Sequence, residues 1–198
     1  MKARYLTPGE IEALFSVMPL ERRLVFEVAL QSGLRIGDVL KIRRSDLRRT
    51  DPDEVEIRFV AEKTKKKGKA YVRGAVAEHL FGLRRGRKGF LWPSNAKCGH
   101  VTRQTVWNWA KEAGKAANID LRGLSPHSLR KCFAVKLRHE KGIDAAQRAL
   151  QHSHSAQTAI YAYADVYAGA DPNAPVLWCQ VDELLDLIAE RLKQKKTS

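Results

Sequence analysis

"SPHSLRKCFAVKLRHEKGIDAAQRALQHSHSAQTAIYAYAD", Ser125–Asp165, holds four of the chain's six histidines within 41 residues. In it His127 and Arg130 stand three apart, and His152 precedes Tyr161 by nine. The stretch reads as three short helices. Ser125 caps the first, with Pro126 at its opening position. Asp144 and Gln147 make a capping box for the second, which ends near His152. Ser155 begins the third, which carries Tyr161. His127 and Arg130 then project from one face near a helix N-terminus, where anions are favoured, and an arginine fork grips a phosphate through two parallel hydrogen bonds. A helical zinc pair needs histidines at i and i+4 with a carboxylate nearby, and these spacings do not provide it. An HxxR pair by itself is most often a solvated helix face, so the rest of the chain has to decide.

Upstream, "LTPGEIEALFSVM" opens a helix with Thr7 as N-cap, Pro8 at the first position and Glu10 completing a capping box. A second helix, "LERRLVFEVALQS", is closed by Gly33. A short helical turn follows around "IGDVLKIRRSDL". The period then changes: "EVEIRFVAEKT" alternates, with Val55, Ile57 and Phe59 on one face of a strand. "KTKKKGK" is its lysine-bearing hairpin turn and "AYVRG" the return strand. Helical patterns resume in "AVAEHLFGL" and "TRQTVWNWAKEAGKAANI". The fold class is therefore mainly α with a small antiparallel β-sheet. Gly169, Pro172 and Pro175 interrupt the pattern, and "VDELLDLIAERLKQKK" follows with Val181, Leu184, Leu185, Ile188 and Leu192 as an apolar stripe. That gives a body over residues 1–175 and a C-terminal helix or tail over 176–198.

The chain carries 36 lysines and arginines against 22 acidic residues, a net charge of +14 over 198 residues. Such an excess is the footprint of a nucleic-acid binder. No apolar run approaches the roughly 20 residues of a membrane span, and "MKARYLTPGE" has no signal-peptide core, so no membrane partner is expected. Cys98, Cys132 and Cys179 have no CxxC spacing, which points to a reducing compartment and away from structural zinc.

Arg35, in the otherwise apolar "LQSGLRIGDVL", needs an anionic partner to offset its desolvation. Taken alone, a structural Arg35–Asp38 pair accounts for it as well as a functional role does. In combination these residues resemble the tyrosine recombinases of the phage integrase family. "SGLRIGDVL" is similar to the family's first box, with its first catalytic arginine at Arg35 and its supporting acid at Asp38. "HSLR" resembles the family's HxLR, giving His127 and Arg130. "LQHSHSAQTAIY" resembles the box usually reading L-G-H with tyrosine nine residues later, giving His152 and Tyr161. Gln151 departs from the glycine of that box without removing a catalytic group. Tyr163 and Tyr167 lie nearby but lack the offset. The hairpin sits where the family keeps its catalytic lysine, and Lys63 fits best, leaving Lys65, Lys66, Lys67 and Lys69 as DNA-phosphate contacts. His154 reads as a bystander, and His79, His100 and His139 as surface residues.

The resemblance implies the recombinase catalytic-domain fold and site-specific DNA recombination, whether integration, excision or inversion. Tyr161 would attack a phosphodiester held by Arg35, Arg130 and His152, with His127 accepting or orienting its proton and Lys63 protonating the leaving 5′ oxygen. It implies a covalent 3′-phosphotyrosine, with no metal, no ATP and no other cofactor. The implied partners are a double-stranded recombination site, a homotetramer on that DNA and accessory DNA-bending proteins; the implied location, if the host is prokaryotic, is the cytoplasm in association with the nucleoid. The tail over 176–198 would either dock on a neighbouring protomer, as such segments often do in the family, or pack on its own domain. The family's helical clamp domain would precede "YLTPGE", so the chain is expected to be either a catalytic fragment or a short recombinase without the clamp. A type IB topoisomerase differs around the lysine and tyrosine. A non-catalytic DNA-binding module would not need every catalytic position filled, and an RNA binder would have no use for this constellation.

Overall fold

A computed structural model describes residues 3–83, 88–150 and 155–166. The elements in order are α1 (Pro8–Ser16), α2 (Leu20–Ser32), α3 (Ile36–Val39), β1 (Leu47–Asp51), β2 (Glu54–Val60), β3 (Lys67–Arg73), α4 (Gly74–Gly82), α5 (Arg103–Ala116), α6 (Pro126–Leu150) and α7 (Ser155–Ala162). The capping box on α1 forms as its sequence requires: the Thr7 side chain accepts from Glu10 N, and the Glu10 carboxylate accepts from Thr7 N. Among the described residues no helix is long and apolar enough to cross a membrane.

Helix α2 is the centre of the body. Leu24, Val25, Phe26, Val28, Ala29 and Leu30 are all buried, an apolar surface on every side that a helix carries only when surrounded. Packed against it are the α6 helix and the inner face of the sheet. The sheet has the order β1-β2-β3, antiparallel throughout, with Val55 opposite Val72 and Ile57 opposite Ala70. Val55 and Ile57 are fully buried, and Phe59 packs at the edge of the same core. The alternation in the sequence therefore falls on the expected face.

Strand β1 has no counterpart in the sequence pattern. Its residues, "LRRTD", are half-buried at Leu47 and exposed thereafter, so no alternating apolar signal exists to mark an outer strand. Helix α6 is a single run broken at Gly142 (φ 80°, ψ 170°), in agreement with separate helices before and after it. At its start the side-chain contact comes from Ser128, not Ser125: the Ser128 hydroxyl accepts from Ser125 N and donates to the Gly123 carbonyl, both at 3.3 Å. The tail over 176–198, His152 and His154 lie outside the described residues.

Candidate active site

Two chain turns build the floor of the site. Gly33 ends α2 in the left-handed region (φ 64°), and a Cβ there would fall 2.2 Å from the Phe133 ring, so both conformation and space require glycine. The chain then turns into α3 with Arg35 at its N-cap position. From the other side α6 delivers Arg130, one turn after His127, to the same place. Arg130 is 4% exposed. Its Nη1 donates to the Gly33 carbonyl and its Nη2 to the Leu150 carbonyl at 2.7 Å. Thus the turn that presents Arg35 also holds Arg130.

Asp38 does not pair with Arg35. It is buried, and its Oδ1 accepts from Glu62 N at 2.8 Å, which fastens the β2–β3 hairpin to the α3 turn. Beyond that bond the hairpin closes on itself, with Ala61 N donating to Lys66 O at 2.9 Å and Lys65 N to Ala61 O at 2.8 Å. Lys63 projects from this turn. Its neighbours Lys65, Lys66, Lys67 and Lys69 are all exposed, and Lys67 and Lys69 line a second groove of about 730 Å³. Lys69 is also engaged, with Nζ 2.7 Å from the Glu56 carboxylate.

The residues converge on one cleft of about 580 Å³. Arg35, Lys63, His127, Arg130 and Tyr161 all line it, with Asp38 in its wall. The nucleophile candidate is carried by α7, and Lys131 Nζ lies 6.0 Å from the centre of the Tyr161 ring. Tyr163 stacks instead under the Arg138 guanidinium at 4.5 Å, which separates it from the cleft residues. His139, expected as an ordinary surface residue, has its Nε2 3.0 Å from the buried Asp165. That carboxylate also accepts from Arg138 at 2.8 Å, so α6 grips the chain just past Tyr161.

Electrostatically the cleft is a concentration of positive charge. Burial pushes the Arg130 guanidinium down to about 10, with the charge of Arg35 adding to the effect, so it remains protonated at neutral pH. His127 is held below its usual value, first by the protein around its ring and then by the charges of Arg130, Arg35 and Arg103. Although the ring reaches solvent on one side, both causes act in the same direction and favour the neutral imidazole. Among the described residues no group of three or more His, Cys, Asp or Glu side chains could hold a metal.

Glu62 and Arg103 also line this cleft, and neither is marked in the sequence. Glu62 reads as a strand-end carboxylate and Arg103 as the exposed first residue of a helix. Their meeting joins positions 41 apart, which no local pattern encodes.

What fold and cleft define is a catalytic domain of the tyrosine-recombinase type. The profile of the phage integrase family matches residues 4–167, and the chain belongs to that family. It is 31% identical over 176 residues to the tyrosine recombinase XerD of Caulobacter vibrioides, covering 81% of this chain and 57% of that protein. Among solved structures, the XerH site-specific recombinase in a post-cleavage complex with palindromic difH substrate superposes with a TM-score of 0.69 at 18% identity, covering 85% of this chain and 52% of that one. The lambda integrase catalytic core gives a TM-score of 0.60 at 21% identity over 75% of this chain and 95% of that one. At such identities the likeness is one of fold. The chain spans a little over half the length of the curated relatives that it matches, at 57% and 54% for two XerD proteins.

Proposed function

We propose that this chain cleaves and rejoins DNA at a specific site through a covalent tyrosine intermediate. The supporting observation is the one cleft lined by Arg35, Arg130, His127, Lys63 and Tyr161 together. In this reading Arg35 and Arg130 bind the nonbridging oxygens of the scissile phosphate, where negative charge builds up in the transition state. Fixed donors of this kind contribute roughly 3–4 kcal/mol each in comparable sites. The Tyr161 oxygen attacks phosphorus in line, and a Tyr161 Oη–P bond forms as the P–O5′ bond breaks. The phenol proton passes to the neutral imidazole of His127, and the 5′ oxygen takes a proton from the Lys63 ammonium. His152 would add a further hydrogen bond to the phosphate. The product is a 3′-phosphotyrosine and a free 5′ hydroxyl. Attack of another 5′ hydroxyl reverses the step, so no ATP is consumed and the arginines supply the charge that a metal would supply elsewhere.

The partners follow from the same reading. The substrate is a double-stranded recombination site; XerH has been solved bound to its palindromic difH substrate, and lambda integrase bound to a COC′ core site and, as a tetramer, to a Holliday junction. A homotetramer of this chain, with residues 1–175 as the catalytic unit and 176–198 docked on the next protomer, is the assembly proposed. The test is capture of the adduct. The chain is incubated in excess EDTA with a pool of nicked duplexes of randomised sequence, then denatured, and covalently attached DNA is recovered and sequenced. We expect a discrete sequence to be enriched, with Tyr161→Phe yielding no adduct and Tyr163→Phe yielding it normally. Adduct in Tyr161→Phe overturns the nucleophile, and adduct that requires magnesium overturns the mechanism.

A further inference from the structure

We propose that Glu62 and Arg103 are positioning residues for Lys63: their ion pair, laid across the cleft, fixes the β2–β3 turn so that the lysine ammonium meets the leaving 5′ oxygen. This rests on the reading of Lys63 as the proton donor.

A proton donor must come within roughly 2.6–3.2 Å of the atom it protonates. Lys63 is a long, exposed side chain on a turn, and such a group has many rotamers. The bonds within the turn hold its shape but not its place on the body. Beyond the buried Ala61, the turn is fastened to the body by the residue before the lysine. Glu62 donates its backbone N–H to the buried Asp38 carboxylate at 2.8 Å, its Oε1 lies 3.0 Å from Lys41 Nζ, and its Oε2 accepts from Arg103 Nη2. One residue is therefore held in three directions, by the α3 turn, by the segment after it and by the start of α5. The hydrogen bond with Lys41, together with the Arg103 and Lys41 charges, keeps the Glu62 carboxyl below its ordinary value and hence ionised.

Arg103 reaches this place because of Gly37. A Cβ at that position would fall 2.5 Å from the Arg103 guanidinium nitrogens, so the absent side chain leaves the shelf on which the arginine crosses. The same shelf belongs to the α3 turn that begins at Arg35, so the lysine and the first arginine are registered to one another through Arg103. The Arg103 and Glu62 side chains are 63% and 37% exposed, respectively. Ion pairs that open to solvent add little to stability, so a role in folding is a poor account of it. A role in geometry uses its actual feature, the direction in which it pulls the turn.

The test uses the whole 198-residue chain. Its substrate is a nicked duplex bearing the captured site, made with either oxygen or sulfur at the bridging 5′ position. A thiolate leaves without a proton donor, so the sulfur substrate bypasses Lys63 and anything acting through it. On the oxygen substrate Glu62→Gln and Arg103→Gln should each slow adduct formation by about 10- to 100-fold, less than or equal to the loss in Lys63→Ala. On the sulfur substrate all of them should return close to the wild-type rate, with unfolding temperatures unchanged. Rescue of Lys63→Ala without rescue of Glu62→Gln and Arg103→Gln would overturn the positioning role while leaving Lys63 as the donor. A loss in Arg103→Gln that sulfur does not restore, with Glu62→Gln unaffected, would mean that Arg103 grips the DNA itself, and would also overturn it. Failure of sulfur to rescue Lys63→Ala would remove the reading on which the proposal stands.

Discussion

Arg23 and Arg130 are both buried arginines, 1% and 4% exposed, and they are buried in opposite ways. Arg23 lies on α2 with its Nε 2.9 Å from Glu27, one turn along the same helix. The pair sits in the core of the body, and burial pushes the Glu27 carboxyl up to about 7 against the pull of Arg23. Desolvation there outweighs the pull of the opposite charge beside it. Arg130 instead donates to the Gly33 and Leu150 carbonyls. Carbonyl dipoles orient a guanidinium without cancelling its unit charge, and this one lines the cleft beside Arg35. An arginine paired with a carboxylate in the core belongs to the packing; one held by carbonyls in the wall of a cleft is placed to meet an anion there.

The comparison is broken most directly by removing each arginine. Arg23→Met leaves Glu27 as an unpaired buried group and should cost about 3–5 kcal/mol in denaturant unfolding, whereas Arg23→Met with Glu27→Leu should be near neutral or stabilising. Below its melting point neither variant should change the rate of adduct formation per folded molecule. Arg130→Gln should do the reverse. Single-turnover adduct formation should fall by roughly 10²–10³-fold, while affinity for the DNA stays close to wild type. A rate loss in folded Arg23→Met, or a normal rate in Arg130→Gln, would erase the distinction between the two.

Much of this was legible in the sequence, and what was not has identifiable causes. The capping box at Thr7 and Glu10, the glycine stop at Gly33 and the alternation of Val55 and Ile57 are local signals, and each formed as read. The two arginines could be named from their boxes, but the means of holding them could not. Arg130 meets Gly33 across 97 positions, and Asp38 meets Glu62 N across 24. Such contacts belong to the tertiary fold and leave no periodicity. An Arg35–Asp38 pair was the natural local guess because the residues are three apart. It fails because Asp38 is turned to the hairpin backbone. Strand β1 escaped for a different reason: exposed from Arg48 to Asp51, it has no buried face to impose a pattern.

The smallest effect sharpens the comparison from the side of a third residue. If the cleft arginines keep their charges, a titratable group among them has to register it, and His127 is that group. Its imidazole is held below the ordinary value of 6.5, by burial first and by Arg130, Arg35 and Arg103 after it. Nuclear magnetic resonance of the histidine ring protons should therefore give a midpoint below 6.5 for His127. Arg130→Gln removes the foremost of the three charges and should move the midpoint upward, toward the ordinary value. The move is modest, because the protein around the ring stays in place. Arg35→Gln should act in the same direction and less strongly, following the order of their contributions. Replacing Arg23 and Glu27 together should leave the midpoint where it was, since neither residue is among the groups that act on the His127 ring. Cleavage should share the sign: a neutral imidazole can take the Tyr161 proton, so the rate should fall as pH drops through the His127 midpoint. A midpoint that ignores Arg130→Gln would mean that the cleft charge is cancelled in solution much as the charge of Arg23 is.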